Sequence, residues 1–261
     1  MTLLFHEIRQ NKLALMIWSG AISFMMAVCV IIYPEMSSQM GDISAMFSDM
    51  GAFTSAFGMD QLNFGEFMGY FGVECGNVLG LGGAIFAAIL GASAISREEK
   101  DKTAEFLLTH PISRERILGE KLIAVFSQVT ILNVVVIVIS AIAILLVGVE
   151  AEWGVLMLIF LAYFLLQLEI AAITFGVSAF MKRGALGVGL GLVFGMYFIN
   201  ILANLTDELK PLKYITPFGY ADGAHIIPEG SIEIKYLAVG VLLAILGIVA
   251  AFMKYRKKDI T

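Results

Sequence analysis

Six uninterrupted apolar blocks dominate this sequence, at 13–34, 75–96, 122–149, 153–181, 184–206 and 236–253, and Glu169 is the only charged residue inside any of them. A block of about 18 uncharged residues is long enough to cross the hydrocarbon of a bilayer as a helix. Several blocks are rich in Val and Ile, which in water would favour strands. Lipid cannot satisfy an open sheet edge, so helix is the reading that leaves no backbone group unpaired. A closed barrel would show blocks of about ten residues with alternating polarity instead. Composition agrees: 59% of the 261 residues are hydrophobic and 15% charged, whereas soluble domains are about a quarter charged. The expectation is an all-α integral membrane protein with six transmembrane helices.

The basic residues set the orientation. Fourteen of the 17 Lys and Arg residues fall in 1–12, 97–121, 182–183 and 254–258, which share one side if the chain crosses six times. The other side keeps Lys210, Lys213 and Lys235 beside acids such as Glu35, Asp42, Asp49, Asp60, Glu66, Glu150, Glu152, Asp207 and Glu208. The positive-inside rule therefore predicts that both termini are cytoplasmic; the membrane expected is the plasma membrane. The net charge of −5 is split between two compartments and gives no reason to expect a nucleic-acid partner. The first block is too long for a signal peptide and lacks a small-residue cleavage site after it, so it reads as an anchor. Cys29 and Cys75 lie inside or at the edge of blocks, as small hydrophobes.

Between the blocks, 1–12 places Leu4, Phe5 and Ile8 on one face and reads as an interfacial helix. The segment 35–74 repeats Met36, Met40, Ile43, Phe47, Met50 and Phe57 at helical steps and predicts amphipathic helices on the outer membrane face. Pro211, Pro217 and Pro228 make 207–235 a compact outer cap rather than a seventh span. The cytoplasmic segment 97–121 combines dense charge with Phe106, Leu107 and Leu108; Pro111 ends a short helix there and Ser113 can cap the next, with Glu115 and Arg116 in its first turn. An apolar pair presented on a charged loop suits a docking partner better than solvation alone.

No Gly-x-x-x-x-Gly-Lys-Ser/Thr occurs, so the chain holds no phosphate-binding loop. Gly187-x-Gly189-x-Gly191 lies within the fifth block without a preceding strand; Gly187, Gly191 and Gly195 share a helix face instead, a pattern for close helix packing. There is no His-Glu-x-x-His, and Gly176-Val177-Ser178-Ala179 lacks the second Gly and the His of a serine intramembrane protease. His6, His110 and His225 form no ligand set, and no metal site is expected. Glu169 lies roughly 20 Å along its helix from Lys182, near mid-membrane. It is either part of a translocation path or held by a structural bond, for which Gln128 and Asn133 of the third block are candidates; the possible path residues are Glu169, Gln128, Asn133, Glu74 and Asn77.

The run Glu98-Glu99-Lys100-Asp101-Lys102-Thr103, followed by Phe106-Leu107-Leu108-Thr109-His110-Pro111-Ile112-Ser113-Arg114, resembles the cytoplasmic loop of ABC-2 type permeases, in the NosY-like branch. Phe53 to Asp60, Thr216-Pro217-Phe218-Gly219-Tyr220-Ala221-Asp222 and the basic tail from Tyr255 extend the resemblance over nearly the whole chain. Lys100-Asp101-Lys102 departs from the Gly or Arg more usual before the Thr. The resemblance implies a non-enzymatic permease subunit that exports a peptide, lipid or drug-like substrate. A separate ABC ATP-binding subunit, carrying ATP and Mg, would dock on a coupling helix through Glu98, Glu99, Thr103, Phe106, Leu107, Leu108, Pro111, Ser113 and Arg114. A second copy or a homologous permease would pair with it, the fifth span and its Gly187, Gly191 and Gly195 making the contact. A stand-alone secondary transporter would need several mid-membrane charges, and a sensor or immunity permease would bind its ligand without exporting it.

Overall fold

The computed structural model describes residues 2–37, 51, 54, 56, 62, 63, 65–100, 113–181 and 183–256. It is helical, with no strand among the described residues, and six of its helices are long and apolar enough to cross a membrane. A short helix, α1 (Thr2–Gln10), leads into the first span, α2 (Lys12–Ser37). The second span comprises α3 (Phe67–Cys75), a π-wound turn (Gly76–Leu81) and α4 (Gly82–Lys100). The third to fifth spans are α5 (Arg114–Val147), α6 (Trp153–Phe180) and α7 (Ala185–Leu205). Two 3-10 segments (Asp207–Ile215 and Pro217–Gly219) and α8 (Gly223–Glu229) form a cap before the sixth span, α9 (Ile234–Arg256).

Two boundaries differ by about two turns from those read off the apolar blocks. The second span begins at Phe67 rather than 75, because Glu74, which ended the apolar block, lies on the helix and accepts a hydrogen bond from Cys29 Sγ of the first span at 3.8 Å. The third span begins two turns before its apolar block, at Arg114, where the Ser113 side chain accepts from the Arg116 amide. It ends at Gly148, whose φ of 75° lets the chain turn through the left-handed region into the fourth span. Much of 38–64, where the amphipathic outer helices were expected, lies outside the described residues.

Spans two and four form the centre of the bundle: 67% and 61% of their apolar windows are buried inside the protein, against 17% for span five and 22% for span six. Lipid offers no hydrophobic drive for one apolar helix to leave it for another, so close backbone approach and interhelical polar bonds must hold the spans together. Glycines supply that approach on both sides of span four. A Cβ on Gly80 would fall 2.8 Å from the Tyr163 ring, one on Gly83 would overlap Gln167 Nε2, and one on Gly91 the Ala171 carbonyl oxygen. On the other side, a Cβ on Gly176 would lie 2.7 Å from the Gly247 carbonyl oxygen, and one on Gly240 would overlap Glu169 Oε2. The contacts advance together along both pairs, so spans two and six run parallel to span four.

Gly176→Ala is therefore expected to lower stability by about 1–3 kcal/mol through backbone displacement. Gly187→Ala, where no described residue stands within 4 Å of the added Cβ, should leave it unchanged. Thermal unfolding of the two variants in detergent compares them directly.

Candidate functional site

One end of the bundle, the loop end beside the connection between spans two and three (101–112, outside the described residues), is where α1, the two stems of that connection and the end of α9 meet; the other is a cap end carrying 207–229. At the loop end, every stem is tied to another element. Arg97, closing the second span, donates from Nη1 to Asn11 Oδ1 at 2.9 Å. The opening turns of the third span bind α1: the Leu4 amide donates to Glu120 Oε2 at 3.3 Å, and Lys121 Nζ meets Glu7 Oε1 at 2.6 Å with the lysine side chain only 3% exposed. Arg116 holds Glu120 from one turn earlier, at 3.1 Å. Arg114 Nη1 donates to the carbonyls of Tyr255 and Arg256, both at 3.2 Å, and Arg256 pairs with Glu115. Carbonyls in the last turn of a helix have no partner within it, so Arg114 caps the sixth span.

Of the docking residues implied by resemblance, Thr103, Phe106, Leu107, Leu108 and Pro111 lie outside the described residues. Glu98 and Glu99 fall on the last turn of α4, with their side chains outside the described residues. Ser113 and Arg114 are placed, and both serve helix ends: Ser113 starts the third span and Arg114 finishes the sixth.

The candidate path residues do not converge. Gln128 lines a cavity of about 50 Å³ at the loop end with Glu7, Asn11, Ser93, Arg97 and Lys121. Its Nε2 donates to its own helix at the Ala124 carbonyl, 3.1 Å away. Asn133 is buried mid-bundle and donates to Gln167 Oε1 of span four at 2.7 Å; Gln167 Nε2 in turn donates to the Leu79 carbonyl of span two at 3.2 Å. Asn77 accepts from the Tyr197 hydroxyl at 3.2 Å and lines a cap-end cavity of about 60 Å³ with Tyr163, Tyr197, Asn200, Asn204 and Asp222. Glu74 faces the first span through Cys29. Each of these two cavities has room for a few waters and is far below the roughly 300–1,000 Å³ of a site for a drug-sized ligand. A wider groove of about 540 Å³ opens at the rim beside Tyr33, Glu66, Phe67, Glu150 and Glu152.

Glu169 bonds neither Gln128 nor Asn133. It lies on the opposite side of span four, buried in the notch left by Gly240 of the sixth span and facing Tyr220 at the edge of the cap. Among the described residues, no hydrogen bond of good geometry reaches either carboxyl oxygen or the Tyr220 hydroxyl. Burial, and then the neighbouring Glu169, push that hydroxyl far above the ordinary phenol range, so Tyr220 keeps its proton.

Sequence reasoning singles out Glu169 and passes over Gln167. The two are separated by about 200° around the helix, so the acid that draws the eye marks the wrong face for the central amide bonds. Among the described residues, a Cβ added at Gly187, Gly191 or Gly195 would have no heavy atom within 4 Å, whereas one at Gly189 on the next face would meet Ala92 at 2.9 Å. The described residues leave the face carrying Gly187, Gly191 and Gly195 open.

Set beside known proteins, residues 2–260 match a family model described as "ABC-2 family transporter protein". No curated protein matches the chain.

Because Lys121 and Glu7 are largely withdrawn from water, removing the lysine takes this partner from the Glu7 carboxylate, at a cost of about 3–5 kcal/mol. Lys121→Met is expected to destabilise the docking of α1 by that order, and Lys121→Met with Glu7→Leu by clearly less. A double-mutant cycle read by thermal unfolding, with proteolysis of the 1–12 segment as a local probe, checks the coupling.

Proposed function

Because the chain belongs to the ABC-2 family of transporter proteins, and is thus a multi-pass membrane component of an ABC transporter, we propose that it is the permease subunit of an ATP-driven exporter. A separate ATP-binding subunit, which carries ATP and Mg, docks at the loop end and powers it. The loop end is then cytoplasmic, with both termini, and the cap faces outward from the plasma membrane. The substrate class that the apolar outer segment suits is a peptide, a lipid or a drug-like molecule.

The observation that carries this reading is the clasp around the loop stems. A solvated connection between two spans needs no such bracing, yet here Arg97 is tied to the start of the first span, Glu120 and Lys121 to α1, and Arg114 and Glu115 to the end of the sixth. A push on the loop would therefore reach spans one, two, three and six together, as a rigid-body switch requires. The small cavities inside the bundle favour a substrate path between two permeases rather than through one. The open glycine face of the fifth span supplies a surface on which a second copy or a homologous permease can pack closely.

Purification from the native membrane in mild detergent should bring down a P-loop ATPase in stoichiometric amount. Leu107→Asp or Leu108→Asp should release that ATPase and leave the permease folded. A permease that comes out alone, under conditions where comparable complexes survive, would make a stand-alone carrier the better reading. Separately, Gly191→Leu should weaken permease pairing in crosslinking experiments without lowering the unfolding temperature; pairing at wild-type strength would place the contact elsewhere.

A further inference from the structure

Span two changes its winding once among the described residues, at the π turn Gly76–Leu81, and the neighbouring span holds it there. Gln167, fully buried in span four, donates from Nε2 to the Leu79 carbonyl within that turn at 3.2 Å. Its Oε1 accepts from Asn133 of span three at 2.7 Å, and the Asn133 amide also donates to the Val129 carbonyl at 2.9 Å. Gly76, Gly80 and Gly83 keep this face of span two bare, so that the Tyr163 ring and the Gln167 amide reach the backbone. A π turn holds one more residue than the α turn it replaces, and such turns recur at sites that move.

The turn separates two halves of span two with different attachments. The half beyond it, α4, runs into the 101–112 loop. The half before it, α3, holds the cap: Gly72 meets the Ile227 side chain, and a Cβ on Gly223 would lie 3.1 Å from the Gly72 carbonyl oxygen. Rewinding the turn to α geometry would rotate one half against the other by about 100° and lengthen the span by about 1.5 Å. It would also draw the Leu79 carbonyl away from Gln167.

We propose that Gln167 is a positioning residue that keeps this turn π-wound, and that rewinding of the turn transmits a displacement of the loop to the 207–229 cap. The source of the displacement rests on the ATP-driven reading above; the hinge itself does not. Losing the buried amide bond removes a bias of about tenfold against the rewound state.

Hydrogen exchange read by mass spectrometry, on the full-length permease in lipid nanodiscs with and without its partner ATPase, tests this. Gly83→Ala pushes the Gln167 amide off Leu79 without removing the donor, and Gln167→Met removes the donor at similar size. Each should speed exchange at 76–81 and at 223–229 about tenfold in the permease alone, with span five unchanged. Deletion of Val78 takes out the extra residue: the variant should still bind the ATPase but lose the ATP-dependent change at 223–229. A cap that does not respond to either point variant, or a Val78 deletion that keeps the wild-type nucleotide response, overturns the proposal. If the deletion fails to fold, the two point variants decide. If no ATPase associates with the wild type, the ATP-driven reading fails, and the permease-alone comparison still decides the hinge.

Discussion

Lipid removes the force that builds most protein cores. An apolar side chain gains little by leaving hydrocarbon for the protein interior, so spans associate through dense packing and the few polar bonds they share. Span four answers both demands. On one side its Tyr163, Gln167 and Ala171 fill the bare face made by Gly80, Gly83 and Gly91; on the other, Gly176 and Glu169 fit against Gly247 and Gly240. The amide series from Asn133 through Gln167 to Leu79 then joins spans three, four and two at the centre. Side chains large enough to fill these notches from the glycine side would force the spans apart, and the bundle would lose its centre.

The same economy explains what a sequence of this kind reveals. The six spans are legible because hydrocarbon permits one solution for a long apolar block. The start of span two is not, since Glu74 breaks the apolar run and is accommodated by a contact with Cys29, 45 residues earlier in the chain. Gln167 is equally hard to see. An amide two residues from a carboxylate looks like part of the same polar spot until the helix is wound and the two face opposite neighbours. Arg114 reads in the sequence as part of a docking motif, and the fold uses its guanidinium to finish the sixth span. Nothing in the local sequence links residues 114 and 255; only the return of the last helix to the loop end does.

Seen from the loop end, the architecture is a set of levers with a common grip. The first, second, third and sixth spans all meet at the stems of one loop, while span five is the least enclosed of the six. A partner that moves the loop therefore moves spans one, two, three and six, while span five, outside that grip, carries the small-residue face of Gly187, Gly191 and Gly195. On the proposed reading, transmission and association fall to different surfaces of the same bundle, and each can change without disturbing the other.

The notch that Gly240 provides for Glu169 also bears on how the chain is made. Span four enters the membrane two helices before span six, and Gly240, which leaves that notch for its carboxyl, arrives only with Ile234–Arg256. An ionised side chain at the middle of a span costs about 3 kcal/mol on insertion scales. The half-made protein thus carries one uncovered carboxyl in a span that is otherwise apolar enough to cross the membrane. Synthesis that stops short of the last helix would leave that span as a mark by which quality control can recognise the fragment.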